Sequence, residues 1–191
     1  LGTFLSSKAL NKVTTKLWRN PWHQTRSSSV NSPESIAAKN ACRTEFENET
    51  GDKAKEILLA DGSVVHLNAH SSLTYPEKFE GDTREVELTG EGFFDIAKDQ
   101  AHPFTVHTPF EDVTVLGTSF NVRAYENEPN SEVSVSTGKV QVTSEESASS
   151  QILLPNEKAV VAHEGGIIDF EETEDLNESA WHTGVLTFSD A

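Results

Sequence analysis

Three groupings of side chains in this 191-residue sequence have the types and spacing to support chemistry. His66 and His70 form an H-x-x-x-H pair, which on a helix places two imidazoles on one face and can hold zinc. Adjacent carboxylates recur at Glu111-Asp112, Glu145-Glu146 and Glu171-Glu172, and a pair of carboxylates is what glycoside hydrolysis requires. Gly90 and Gly92 begin the G-x-G of a nucleotide-binding turn. All three weaken once the surrounding residues are read as strand. Four strand residues span about 13 Å, whereas zinc holds its nitrogens at about 2 Å, so His66 and His70 share no metal unless the chain turns sharply between them. Neighbouring strand positions face opposite ways, so the acidic pairs are expected to be solvated edges. The G-x-G lacks both its third glycine and a following helix.

Other chemistries lack their parts. The sequence contains no G-x-S-x-G elbow, no G-x-x-x-x-G-K loop and no H-x-H pair. Cys42 is the only cysteine, so it forms no internal disulfide and is a poor zinc ligand by itself. With Trp18, Trp22 and Trp181 and two tyrosines, aromatic platforms for a sugar are sparse. The expectation is therefore a protein without metal or cofactor, and no conventional enzyme.

The elements that position these residues follow from charge and periodicity. Residues 1–45 carry seven basic and two acidic side chains, and the remainder carries eight basic and twenty-nine acidic ones, giving +5 and −21. A region this acidic repels nucleic acid. Leu10, Val13 and Leu17 lie on one helical arc with Lys8, Lys12 and Lys16 opposite, but three turns are marginal in water. Residues 25–41 are rich in Ser, Asn and Ala and read as a linker. Residues 1–45 are thus expected to be a basic tether, irregular or partly helical. Leu1 opens a chain without methionine, which suggests a fragment of a longer product. No run of eighteen apolar residues occurs, so any membrane anchor is expected outside this stretch.

Beyond residue 46 the hydrophobic period becomes two. Val65, Leu67, Val86, Leu88, Phe94, Ile96, Val113, Val115, Phe120, Val122, Val133, Val135, Val140 and Val142 are the predicted core. Hairpins are expected across Asp61-Gly62, Thr137-Gly138 and Gly165-Gly166; residues 175–181 alone look helical. The expected fold is all-β: an antiparallel β-sandwich, or a rolled or β-helix-like stack of hairpins, over residues 46–175. Residues 176–191 would form a connector.

Residues 58–125 carry LLADGSVVHLNAHSSLTYPEKF, REVELTGEGFFDIAKD, HPFTVHT and VTVLGTSFNVRAY in that order. This series resembles the FecR domain family, in which an Asp-Gly-Ser turn, an L-N-A segment, a Y-P turn, an E-L-x-G-E strand, a P-F-x-V strand and a V-L-G-T-x-F-N-V strand follow one another. The likeness continues through residues 133–142 and 153–160 and ends at Trp181, Gly184, Leu186 and Phe188. Ala60 departs from the usual proline, and Gly92 from the usual alanine. The resemblance implies an anti-sigma factor with three parts: a cytoplasmic segment binding an extracytoplasmic-function sigma factor, one inner-membrane helix, and a periplasmic region sensing the signalling domain of a TonB-dependent outer-membrane receptor. This chain would be the periplasmic part. The rival reading is an adhesive or carbohydrate-binding β-domain.

The resemblance also implies a site. Several FecR-like proteins cut themselves at a Gly-Thr bond in this V-L-G-T context, here Gly117-Thr118. The Thr118 hydroxyl can attack the Gly117 carbonyl and convert the peptide bond to an ester that water hydrolyses. Glycine leaves the carbonyl unhindered and tolerates strain. His107 is a candidate base. The alternative is that Gly117-Thr118 forms a bulge between residues 113–116 and 119–125.

Overall fold

The computed structural model describes residues 43–48, 54–172 and Trp181. Residues 1–42 of the basic tether, including Leu10, Val13, Leu17, the lysines opposite them and Cys42, lie outside the described residues, as do the expected helical stretch 175–181 and the connector 176–191 apart from Trp181. Strand pairing already begins at Arg43, three residues before the expected boundary.

Among the described residues thirteen strands follow in chain order: β1 Arg43–Asn48, β2 Lys55–Leu58, β3 Val64–Leu67, β4 Ser71–Pro76, β5 Arg84–Asp95, β6 Phe104–His107, β7 Glu111–Val115, β8 Ser119–Ala124, β9 Asn130–Thr137, β10 Val140–Ser144, β11 Ser150–Leu153, β12 Glu157–Ala162 and β13 Ile168–Glu172. They form one continuous sheet that folds over on itself, because β5 belongs to two layers. Its first half pairs with β4 and with β6, and that layer continues through β7 and β10 to β11, with β1 on the far side of β4. Its second half pairs with β3 and β8, and this layer continues through β9 and β12 to β13, with β2 outside β3.

The corner sits at Gly90. β3 and β4 run beside β5 as two pieces of one broken strand, with Leu67 opposite Gly92 and Ser72 opposite Thr89. The turn between them swings out, with His70 at φ 55°. Ser71 closes the gap: its Oγ accepts the Glu91 N–H at 2.8 Å and donates to Ala69 O at 3.1 Å. A Cβ at Gly90, φ +93°, would lie 2.4 Å from that Oγ, so only glycine fits the bend.

All pairings are antiparallel except β5 with β6, a departure from the antiparallel expectation that follows from the bend. A straight β5 of twelve residues would separate its ends by roughly 36 Å, yet residues 96–103 bring the chain back beside the start of β5. Arg84 secures that return, its N–H donating to Pro103 O, its Nε to His102 O and its Nη1 to Ala97 O.

Every predicted core position is buried, joined by Leu73, Phe104, Val106, Leu153 and Val161. Phe94 and Phe120 are register partners whose rings stack at 5.2 Å. Of the three expected hairpins, only β12–β13 across Gly165-Gly166 pairs as read, through a four-residue turn closed by Ala162 N–H to Ile167 O. The β2–β3 hairpin exists, but Gly62 N–H bonds Leu59 O and Leu59 N–H bonds Ser63 O. Its loop is therefore Ala60-Asp61-Gly62, with positive φ at Gly62 only, at 84°, the three-residue type rather than the two-residue one. Thr137-Gly138 is no hairpin: β9 lies in the second layer and β10 in the first, so this turn crosses between layers.

Replacing Phe120 by Ala removes one of two stacked rings from the centre of this core and is expected to cost about 3–5 kcal/mol. Urea unfolding of the variant checks this; an unchanged midpoint contradicts the assignment.

Candidate functional site

The Gly117-Thr118 bond lies in the segment that carries the chain from β7 in the first layer to β8 in the second. It is thus not a bulge within one strand, although the β8–β9 register does shift between Ser119 and Phe120. Two other segments pack around it. Ile96 N–H donates to Thr118 O at 3.1 Å, and Asp99 N–H donates to Leu116 O at 3.0 Å. Thr118 is buried, and its Oγ1 donates to Lys139 O at 3.1 Å, in the turn that returns from β9 to β10.

Gly117 holds φ +137°, a conformation that L side chains rarely adopt. A Cβ there would meet Lys98 Cα at 2.6 Å. The link is thus held between neighbouring backbones on both sides of residue 117, with the Thr118 hydroxyl directed at Lys139 O. His107 is not beside them. It faces Asp112 across β6 and β7, Nδ1 to Oδ1 at 2.6 Å, about 17 Å of strand from residue 117. Burial pulls its pKa down, but the Asp112 carboxylate, with Glu85 and Glu87 beside it, outweighs this and holds it above the ordinary value. His66 lies on β3 with its ring 6.3 Å from that of Phe93, while His70 occupies the corner turn, where its N–H bonds Asn48 O.

Two buried carboxylates escaped the sequence reading. Glu111 is no solvated edge. It is completely buried at the start of β7, where its Oε2 accepts a hydrogen bond from Ser131 Oγ on β9 and its Oε1 has no hydrogen-bond partner. Burial raises its pKa to about 7, against the opposing pull of the Ser131 hydroxyl. The proton on this carboxyl removes the need to bury a charge between the layers.

Glu91, on the outward side of β5, is also buried. Asn68 Nδ2 donates to its Oε2 at 2.7 Å, Asn121 Nδ2 donates to its Oε1 at 3.0 Å, and Arg123 Nη1 lies 3.4 Å from Oε2. Arg123 in turn holds Glu128 through Nε and Nη2 and lies over the Tyr125 ring at 5.1 Å. The only warning in the sequence is an acid between Gly90 and Gly92, where small neighbours let other side chains close over it.

Residues 47–141 match the family described as FecR protein. Two crystal structures of a protein from Parabacteroides distasonis, provisionally assigned as an anti-sigma factor, are similar to this chain. Each is 43% identical with a TM-score of 0.68, and the likeness covers 73% and 72% of this chain. The matched region spans 64% of the relative's length. No curated protein matches the sequence.

Two predictions test this geometry. Gly117→Ala is expected to destabilise the domain by more than about 2 kcal/mol, since backbone strain adds to the Lys98 clash. Gly62→Ala, with nothing within 4 Å of its Cβ, should lose only about 1–2 kcal/mol. Equal unfolding midpoints would contradict the close packing at residue 117. For Glu111, a folded pKa of about 7 against 4.5 means that its contribution is fully present below pH 4.5 and lost as pH rises towards 7. Above pH 7 the buried charge is expected to cost roughly 3 kcal/mol. Glu111→Gln should therefore gain on the parent between pH 5 and pH 8, read as the difference in urea midpoints; parallel pH profiles would refute it.

Proposed function

Since residues 47–141 form a FecR-family domain, we propose that this protein is an anti-sigma factor in which the folded β-unit senses an external signal. The observation that carries the reading is the 43% identity to the Parabacteroides protein over 73% of this chain. In this reading the β-unit is the periplasmic part of a single-pass inner-membrane protein. It receives the signalling domain of a TonB-dependent outer-membrane receptor. A cytoplasmic segment holds an extracytoplasmic-function sigma factor. The −21 charge of the region from residue 46 onward supports a protein partner over nucleic acid, because phosphates would be repelled.

A second step is self-cleavage at Gly117-Thr118, favoured by the positive φ of Gly117 and the fixed Thr118 hydroxyl. Thr118 Oγ bonds to the Gly117 carbonyl carbon as the C–N bond breaks, and the hydroxyl proton passes to the departing nitrogen. Water then hydrolyses the ester, leaving a Gly117 carboxylate and a free Thr118 amine and hydroxyl.

The regulatory reading is tested by expressing the full-length protein with a sigma-dependent reporter, with and without the receptor's signalling domain. Expected is a reporter level that changes with receptor only when the β-unit is intact; a reporter indifferent to deletion of residues 43–172 overturns it. Cleavage is tested separately by denaturing intact-mass measurement of full-length protein. Two fragments meeting at 117–118 are expected, and a single uncut mass in Thr118→Ala. An uncut parent, or equal cutting in the variant, defeats the mechanism.

A further inference from the structure

The outward face of the second layer carries a cleft that no regulatory step above uses. Two neighbouring rungs build it: Phe93, Asn121, Ser134 and Lys158 on one, and Glu91, Arg123 and Glu132 on the other. Glu91, Asn121, Arg123, Glu132 and Ser134 line a cavity of about 240 Å³. Asn121 is only 7% exposed, yet its Oδ1 has no hydrogen-bond partner. The orientation of this amide is fixed, because its Nδ2 donates to the Glu91 carboxylate and the reversed amide would set oxygen against oxygen.

An unpaired buried acceptor costs free energy unless a donor reaches it. The missing donor has a sign. Glu91, Glu128 and Glu132 surround the cleft, and against them stands Arg123, already held by Glu128 and Glu91. Lys158 is shared between Glu132 at 3.7 Å and Glu171 at 3.5 Å, so Glu132, whose side chain is 44% exposed, retains an oxygen at the rim. The volume is below that of ordinary small-molecule pockets, roughly 300–1,000 Å³, and suits the head of one side chain. The geometry points to a binding site for the cationic N–H donor of an arginine or lysine side chain presented by a protein partner. Its cation donates to Asn121 Oδ1 and pairs with Glu132, and the net negative charge of the domain attracts a basic partner surface. This site is independent of the regulatory reading and holds whichever protein supplies the residue.

The test is an amide NMR titration of the labelled full chain with acetyl-Gly-Arg-Gly-amide, acetyl-Gly-Gln-Gly-amide and agmatine. The arginyl peptide is expected to shift the Asn121 side-chain amide and the Ser134 resonance, and the glutaminyl peptide to leave both in place. Asn121→Ala should weaken binding about tenfold or more, and Glu132→Gln, a rim change that leaves the Glu91 network intact, about three- to fivefold. Absence of those shifts, an equal response to the glutaminyl peptide, or unchanged affinity in a folded Glu132→Gln chain overturns the proposal. Agmatine binding without arginyl-peptide binding would assign the cleft to a small free cation and overturn the protein source.

Discussion

The fold depends on burying one guanidinium. Arg84 begins β5, yet its Nη1 reaches Ala97 O, just beyond the other end of that strand, and Asp61 Oδ2 at 2.6 Å in the β2–β3 turn. Its side chain is only 4% exposed, and its plane lies 5.3 Å over Phe104. A charge so placed is tolerable only if paired and hydrogen-bonded. Asp61 supplies the pairing and is itself held by Ser63, whose hydroxyl donates to Asp61 at 2.8 Å and accepts the Ala97 N–H at 3.0 Å. The Asp-Gly-Ser turn is therefore a structural clasp: Gly62 makes the turn, Asp61 neutralises the arginine, and Ser63 ties the returning chain to both. Lysine at residue 84 would offer a point charge without the planar fork that meets three acceptors in different directions. With the clasp closed, β5 must bend, and the bend makes two layers out of one sheet.

How far the fold could be read from the sequence follows from what each residue must satisfy. Core positions such as Val86, Leu88 and Phe94 were legible because burial of one face imposes a period of two on any strand, whichever layer it joins. Partner choice was not legible. Gly138 has φ 85°, a value suited equally to a tight hairpin and to a crossing between layers, and only tertiary packing against Thr118 decides between them. The buried acids were hidden for a related reason. Periodicity says which way Glu91 or Glu111 points, not whether another element covers that face. At Glu111 the contact comes from β9, where the Ser131 hydroxyl donates to the carboxylate across a sequence separation of 20 residues. The Gly117-Thr118 motif was legible as a motif, whereas its placement between layers emerged only with the strand order.

That placement bears on what a break at the bond would do. Three segments cross or cap the same end of the two layers: the residues after β5, the 116–118 link and the turn at Gly138, joined by Ile96 N–H to Thr118 O and Thr118 Oγ1 to Lys139 O. Cutting the middle one would remove a covalent link but few of the contacts that hold the layers. β8 would remain paired with β5 over six register positions, and β10 with β7 over five, and each ladder joins one fragment to the other. Both are internal, flanked by β3 and β9 on one side and by β6 and β11 on the other, so neither can open without unpairing its neighbours. Side chains from both fragments also meet in the Phe94–Phe120 stack. Separation would thus require exposing the core rather than merely parting an edge. A cut chain would remain one folded body until a pulling force or a competing strand unzipped it, and the clasp at Arg84, lying wholly within the first fragment, would persist on that side.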